Sequence, residues 1–175
     1  MGVVLWDDLD PVKETWTHYA VQGVDDWALS TAYSHSATHS YFSRGVVTVK
    51  DDYLLSRAFV VPGNAQLTFW HTYRLESGGD GAVIEISTDG GTTFVDLLPR
   101  ITAGTYTGMI VTGWGSPIGG RQAWTGGSLG AMTQVVVDLN SYAGQSAILR
   151  FRLTCDRGVS RSGWYIDDIR VSGTG

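Results

Sequence analysis

The chain has 175 residues, enough for one domain with a sizeable core. Hydrophobic residues make up 43% and charged residues 17%, which excludes a disordered chain. The net charge of −5 argues against a nucleic-acid surface, and the single Cys excludes both an internal disulfide framework and a Cys-based zinc site.

Twenty-three Gly and a high share of Trp, Tyr and Phe suit many short strands joined by tight turns. No stretch holds a 3.6-residue apolar period over three turns, and no apolar run is long enough to span a membrane as a helix. Residues 2–9 carry acids where a signal peptide would have its apolar centre. Asp7, Asp8 and Asp10 therefore gather near the N-terminus. His35 and His39 stand four apart where loop runs into strand. Extended backbone would hold them about 13 Å apart, too far for one metal.

Strand patterns become clear from residue 66. The run 66–73 is aromatic and β-branched, and 82–87 follows after a Gly-rich turn. Glu76 and Asp80 bracket Ser-Gly-Gly. They read as solvated loop acids, with a cation contact or glycosidase chemistry as alternatives. Glu85 falls on the opposite strand phase from Ile84 and Ile86 and reads as solvent-facing. Residues 87–94 (STDGGTTF) fit the S-x-D-x-G-x-T-[FW] hairpin called the Asp-box, in which the Asp holds turn amides and the aromatic packs beneath.

The stretch 104–131 is a long irregular loop. In or beside it lie Tyr106, Trp114, Trp124 and Tyr142, which suit either anchoring of the loop or a platform for sugar rings. Strands follow at 134–139, 147–155 and 164–171. In the second, Leu149, Phe151, Leu153 and Cys155 share a face, so Cys155 reads as a buried structural thiol. In the last, Asp167 shares the phase of Tyr165, Ile169 and Val171. A carboxylate there needs a partner, either Arg or calcium, and the N-terminal acids could meet it if the first and last strands are neighbours. The pattern predicts one all-β domain over 1–175, a sandwich of antiparallel sheets with Greek-key connections.

Six segments in order carry a family resemblance: LTFWHTYRLE at 67–76, DGAVIEISTDGG at 80–91, IGGRQAWTG at 118–126, VDLNSYAGQ at 137–145, LRFRL at 149–153 and GWYIDDIRV at 163–171. Together they resemble the bacterial MAM-like jelly-roll domain of immune inhibitor A peptidases. They are also similar to calcium-containing carbohydrate-binding modules and to cleaved adhesin domains of gingipain type. The cysteines of eukaryotic MAM domains and the peptidase half are both missing. The resemblance implies a β-jelly-roll sandwich of two antiparallel sheets, serving as a secreted or surface-displayed, non-catalytic accessory module with a structural calcium. The implied ligands are Asp10 and Asp167, with Asp8 and the carbonyl near Thr38 or His39. Its partners would be a glycan or other cell-surface ligand, bound through Tyr106, Trp114, Trp124 and Tyr142, and further domains of a larger secreted protein. The alternatives are a structural or adhesive subunit that self-assembles, and a glycoside hydrolase using Glu76, Asp80 or Glu85.

Overall fold

The computed structural model describes residues 2–174. In chain order the strands are β1 (Gly2–Asp7), β2 (Thr17–Gln22), β3 (Ala28–Ser30), β4 (Ser40–Arg44), β5 (Lys50–Leu55), β6 (Phe59–Val60), β7 (Gln66–Arg74) and β8 (Gly81–Ser87). Then come β9 (Val95–Asp96), β10 (Ile101–Ala103), β11 (Gly108–Met109), β12 (Gln122–Ala123), β13 (Thr133–Asp138), β14 (Ser146–Cys155) and β15 (Gly163–Gly173). One sheet runs β10-β13-β7-β15-β4-β3, with β1 also on β15; the other runs β2-β5-β14-β8-β9, with β6 also on β14. The pairings are antiparallel, and the two sheets stack as a jelly-roll sandwich. The first and last strands are neighbours, with Asp7 facing Ile169, yet Asp167 bonds to chain amides and not to the N-terminal acids.

Period-2 alternation builds the core. Leu67 and Phe69 of β7, Ile84 and Ile86 of β8, and Leu149, Phe151 and Leu153 of β14 all point inward and are buried. Cys155 continues that face as a buried thiol whose pKa burial pushes up to about 12. The Asp-box forms as expected. Asp89 accepts from Thr93 N at 2.9 Å, Ser87 Oγ accepts from Gly91 N at 2.9 Å, and Gly90 and Gly91 take positive φ. Phe94 packs against the Arg150 guanidinium, 3.8 Å from ring to charge.

The phase of the last strand differs from the sequence reading because β15 is bulged. Asp167 faces Trp70 and Arg170 faces Thr68, so Asp168 and Ile169 together oppose Phe69 alone. Asp168 takes φ +49° to make the extra residue fit. Trp164 and Ile166 point into the core before the bulge, and Ile169 and Val171 after it. Asp167 therefore shares the outer face with Tyr165 and Trp70. It is buried beneath residues 35–36 of a crossing loop, whose amides it accepts at 2.8 and 3.0 Å.

His71 is a core residue with a measurable signature. Trp164 Nε1 donates to its Nδ1 at 3.0 Å, and burial pulls its pKa from 6.5 down to about 3. The folded protein keeps the ring neutral, while the unfolded chain takes up a proton below pH 6.5. The contribution of His71 is thus fully present above that pH and declines by about 1.4 kcal/mol per unit below it. His71→Gln, which still offers an acceptor to Trp164, will show a flatter fall in stability between pH 7 and 5 in urea titrations. Parallel slopes for the two proteins would refute the assignment.

Candidate functional site

β8 and β14 lie side by side with Gly81 opposite Thr154, so the residues just outside them meet at one end of the sandwich. These are Asp80, before β8, and Asp156, after β14. Asp156 N donates to Asp80 Oδ1 at 3.2 Å. The turn from β7 brings a third acid, because Gly79 and Asp80 both donate their amides to the Glu76 carbonyl at 3.0 Å. Thr125 Oγ1, from the long loop, lies 2.7 Å from the Asp80 carbonyl and 3.1 Å from the Glu76 carbonyl, tying that loop to the turn.

One carboxylate oxygen from each of Glu76, Asp80 and Asp156 lies within 4.8 Å of the others. Asp80 is 0% exposed and Asp156 2%. Glu76 Oε1, Asp80 Oδ2 and Asp156 Oδ1 are all buried without a hydrogen-bond partner. Burial, reinforced by the charge of Asp156 and Glu76, raises the Asp80 pKa to about 7. Burial and Asp156 raise that of Glu76 as well. Gly79 is what lets the acids close up, since a Cβ there would sit 2.0 Å from Glu76 Oε1 and 2.7 Å from Asp156 Oδ2. This acidic group could hold a metal ion. It is the one such cluster among the described residues.

The cluster opens on a cavity of about 380 Å³ lined by Glu76, Gly113, Trp114, Asp156 and Arg157. Trp114 is 47% exposed, and its carbonyl accepts from Arg157 N at 3.3 Å. An exposed indole thus walls a cavity with carboxylates and a guanidinium around it.

The other ring positions read from the sequence divide. Trp124 is 1% exposed and Tyr106 is buried, so neither offers a ring face to a ligand. Trp124 Nε1 donates to the Gly104 carbonyl at 2.8 Å, and Tyr106 Oη donates to Asp96 Oδ1 at 2.6 Å. Both are anchors of the long loop. Tyr142 is half-buried and packs against the core from the 3-10 turn Asn140–Tyr142.

Asp8 and Asp10 follow β1, Asp167 lies in β15, and Thr38 stands just before β4. Thr38 Oγ1 donates to Asp10 Oδ1 at 3.1 Å, and His39 N donates to Asp10 Oδ2 at 3.1 Å. Asp8 accepts from Asp10 N and pairs with Lys13. Asp167 accepts from His35 N, Ser36 N and Asp168 N. Each carboxylate oxygen of Asp10 and Asp167 already accepts a hydrogen bond from the chain, unlike the orphaned oxygens of the Glu76 cluster. His35 is engaged within the chain as well. Its Nδ1 contacts Asp168 Oδ2 at 2.6 Å and its ring stacks on Trp70 at 3.7 Å.

Two acids read as solvent-facing are sealed. Asp80 is one, and Glu85, 2% exposed, is the other. Glu85 does lie on the outer face of its sheet, but Arg121, Arg150 and Arg152 cover it and take both its oxygens at 2.8–3.3 Å. Asp156 was missed altogether, because a lone Asp after a strand carries no signal until the register of that strand is known. A second aromatic surface was missed too. On the outer face of the first sheet Trp6 faces Arg170 and Arg170 faces Thr68, and these line a groove of about 310 Å³ with Trp70, Gln134 and Asp168.

No family model and no curated protein matches this chain. Solved structures do share its fold. The K3 cleaved adhesin domain of Lys-gingipain from Porphyromonas gingivalis is 17% identical with a TM-score of 0.62, over 98% of this chain and 99% of that one. A family 61 carbohydrate-binding module, solved with β-1,4-galactotriose, is 10% identical with a TM-score of 0.56, over 95% of this chain and 91% of that one. A family 22 module of Clostridium thermocellum Xyn10B is 13% identical with a TM-score of 0.54, over 99% and 96%. The chain thus has the β-sandwich shared by carbohydrate-binding modules and adhesin domains.

Proposed function

We propose that this protein is a non-catalytic extracellular module that binds glycans and is stabilised by calcium. The observation that carries the reading is the exposed Trp114 beside the cavity of Glu76, Asp156 and Arg157. An indole face stacks on the apolar face of a sugar ring, while carboxylate and guanidinium groups exchange hydrogen bonds with its hydroxyls. The fold supports it as well, since structures of this shape include modules named for xylan or solved with galactotriose. The rings of Tyr106 and Trp124 act only by holding the loop that presents Trp114.

The test is a binding screen on glycan arrays and insoluble polysaccharides, xylan and β-1,4-galactan included, in calcium buffer. Retention is expected, and Trp114→Ala will weaken it about tenfold, the loss of one good stacking contact. Retention that is untouched by Trp114→Ala but lost with Trp6→Ala would move the site to the groove on the first sheet. No retention on any glycan would overturn the reading.

A second reading, a self-assembling or adhesive subunit, is favoured by one observation. β2 is an edge strand, and Tyr19, Val21 and the nearby Val24 and Val47 are exposed along it. Edges of this kind can accept a further strand. Concentration-dependent assembly in size exclusion, lost in Val21→Lys, would support it.

A further inference from the structure

We infer that Glu76, Asp80 and Asp156 form a site for one hard divalent cation of calcium type, at the floor of the Trp114 cavity. The inference stands on the carboxylate geometry and does not need the glycan reading.

The three carboxylates come from two segments: Glu76 and Asp80 from the two ends of the β7–β8 turn, and Asp156 from just after β14. Each keeps an oxygen that is buried and unpartnered. An orphaned buried carboxylate oxygen is costly, and three carboxylates this close repel each other as well. Other buried acids are answered either by cations, Glu85 by three arginines, Asp51 by Arg152 and Asp52 by Lys50, or by N–H donors to both oxygens, as Asp7 and Asp167 are. Among the described residues, none of the three clustered acids has an ion pair of this kind. Gly79 removes the one Cβ that would fill the space against Glu76 and Asp156. The donors are all oxygen, with no His or Cys among them, which selects calcium over zinc. Three carboxylates with an open side toward the cavity suit calcium, which accepts irregular coordination, better than magnesium, which demands near-ideal octahedral geometry. Glu76 and Asp156 also line the cavity, so water or a ligand hydroxyl can complete the ion's coordination from that side.

The test uses metal-stripped protein, with calcium titrated by calorimetry and thermal melting. One calcium is expected to bind to this site and raise the melting temperature. Terbium, as a calcium surrogate, will give emission sensitised by the neighbouring indole, reduced in Trp114→Phe at unchanged stoichiometry. The double variant Asp80→Asn with Asp156→Asn keeps shape while removing the repulsion. It will melt higher than wild type in chelator and lose this calcium and its thermal increment. Those two changes in opposite directions separate a metal site from a merely structural cluster. The inference is overturned if stripped wild-type protein binds no calcium at millimolar concentration. It is equally overturned if the double variant binds calcium as wild type does, or if the calcium is lost in Asp167→Ala and kept in the double variant.

Discussion

Glu85→Ala will destabilise the protein by about 3–5 kcal/mol, the cost of breaking a buried ionic cluster from one side. The reason lies in what is left behind. Arg121 keeps Asp96 at 2.8 Å and is a third exposed, so water screens much of its loss. Arg152 keeps both oxygens of Asp51 at 2.7 and 2.8 Å. Arg150 keeps no acid among the described residues. Its guanidinium stays between the rings of Tyr53 and Phe94, 4.1 and 3.8 Å from their centres, with little access to solvent. The deficit is therefore concentrated on Arg150, and Glu85→Ala combined with Arg150→Met should recover more than half of it. Burial alone would raise the Glu85 pKa, but Arg150, Arg152 and Arg121 overcome that and hold it below the ordinary 4.5. Its contribution is accordingly present above about pH 4.5 and lost as the pH falls through the lowered value. Urea titrations of wild type, single and double variants at pH 7 and pH 3.5 measure all of this. A loss under 1 kcal/mol at pH 7 would sink the account.

That cluster also shows what the sequence could carry. Alternation placed Glu85 on the correct face, because period 2 fixes direction. It could not place the three guanidiniums, since Arg121 arrives from a loop 36 residues away. The five strands with long β-branched or aromatic runs, β7, β8, β13, β14 and β15, were legible for the same reason. The N-terminal strands were not. β2 is an edge strand exposed along almost its whole length, so it has no buried face to impose an apolar pattern. β5 begins Lys50-Asp51-Asp52, a charged run with no apolar alternation, yet Lys50 is fully buried with Asp26 at 2.9 Å and the Arg44 carbonyl at 2.8 Å. A bulge is similarly silent. Asp167 was read as inward because Ile169 and Val171 are inward, and one inserted residue at Asp168 undoes that inference. Within the candidate site, Glu76 and Asp80 were visible as a spaced pair and Asp156 was not. The triad exists only through the register that sets Gly81 against Thr154.

Trp114 and Trp124 look alike in sequence, two tryptophans ten residues apart in one Gly-rich loop, and their variants will behave in opposite ways. Trp124→Ala will cost about 3–5 kcal/mol in urea unfolding. Its indole meets Tyr106 and His71 edge-on at 4.6 and 4.8 Å and reaches Phe69 and Trp164 at 5.9 Å, so truncation opens a cavity where both sheets meet the loop. It also orphans the Gly104 carbonyl. The backbone of Trp124 exchanges two hydrogen bonds of 2.9 Å with Ala82 of β8, and that contact is held in place by the ring. Residues 104–131 should therefore become protease-sensitive before the sandwich unfolds. Trp124→Phe keeps much of the packing and loses the donor, and should fall between. Trp114→Ala removes a half-exposed ring and should change stability by no more than about 0.5 kcal/mol. The two stability values decide how any binding loss is read. A weakened affinity in Trp114→Ala at unchanged stability locates a ligand contact. The same weakening in Trp124→Ala, accompanied by loop cleavage, reports only that the wall of the cavity has come loose. If Trp124→Ala proved as stable as wild type, the ring would not be the anchor that the geometry makes it.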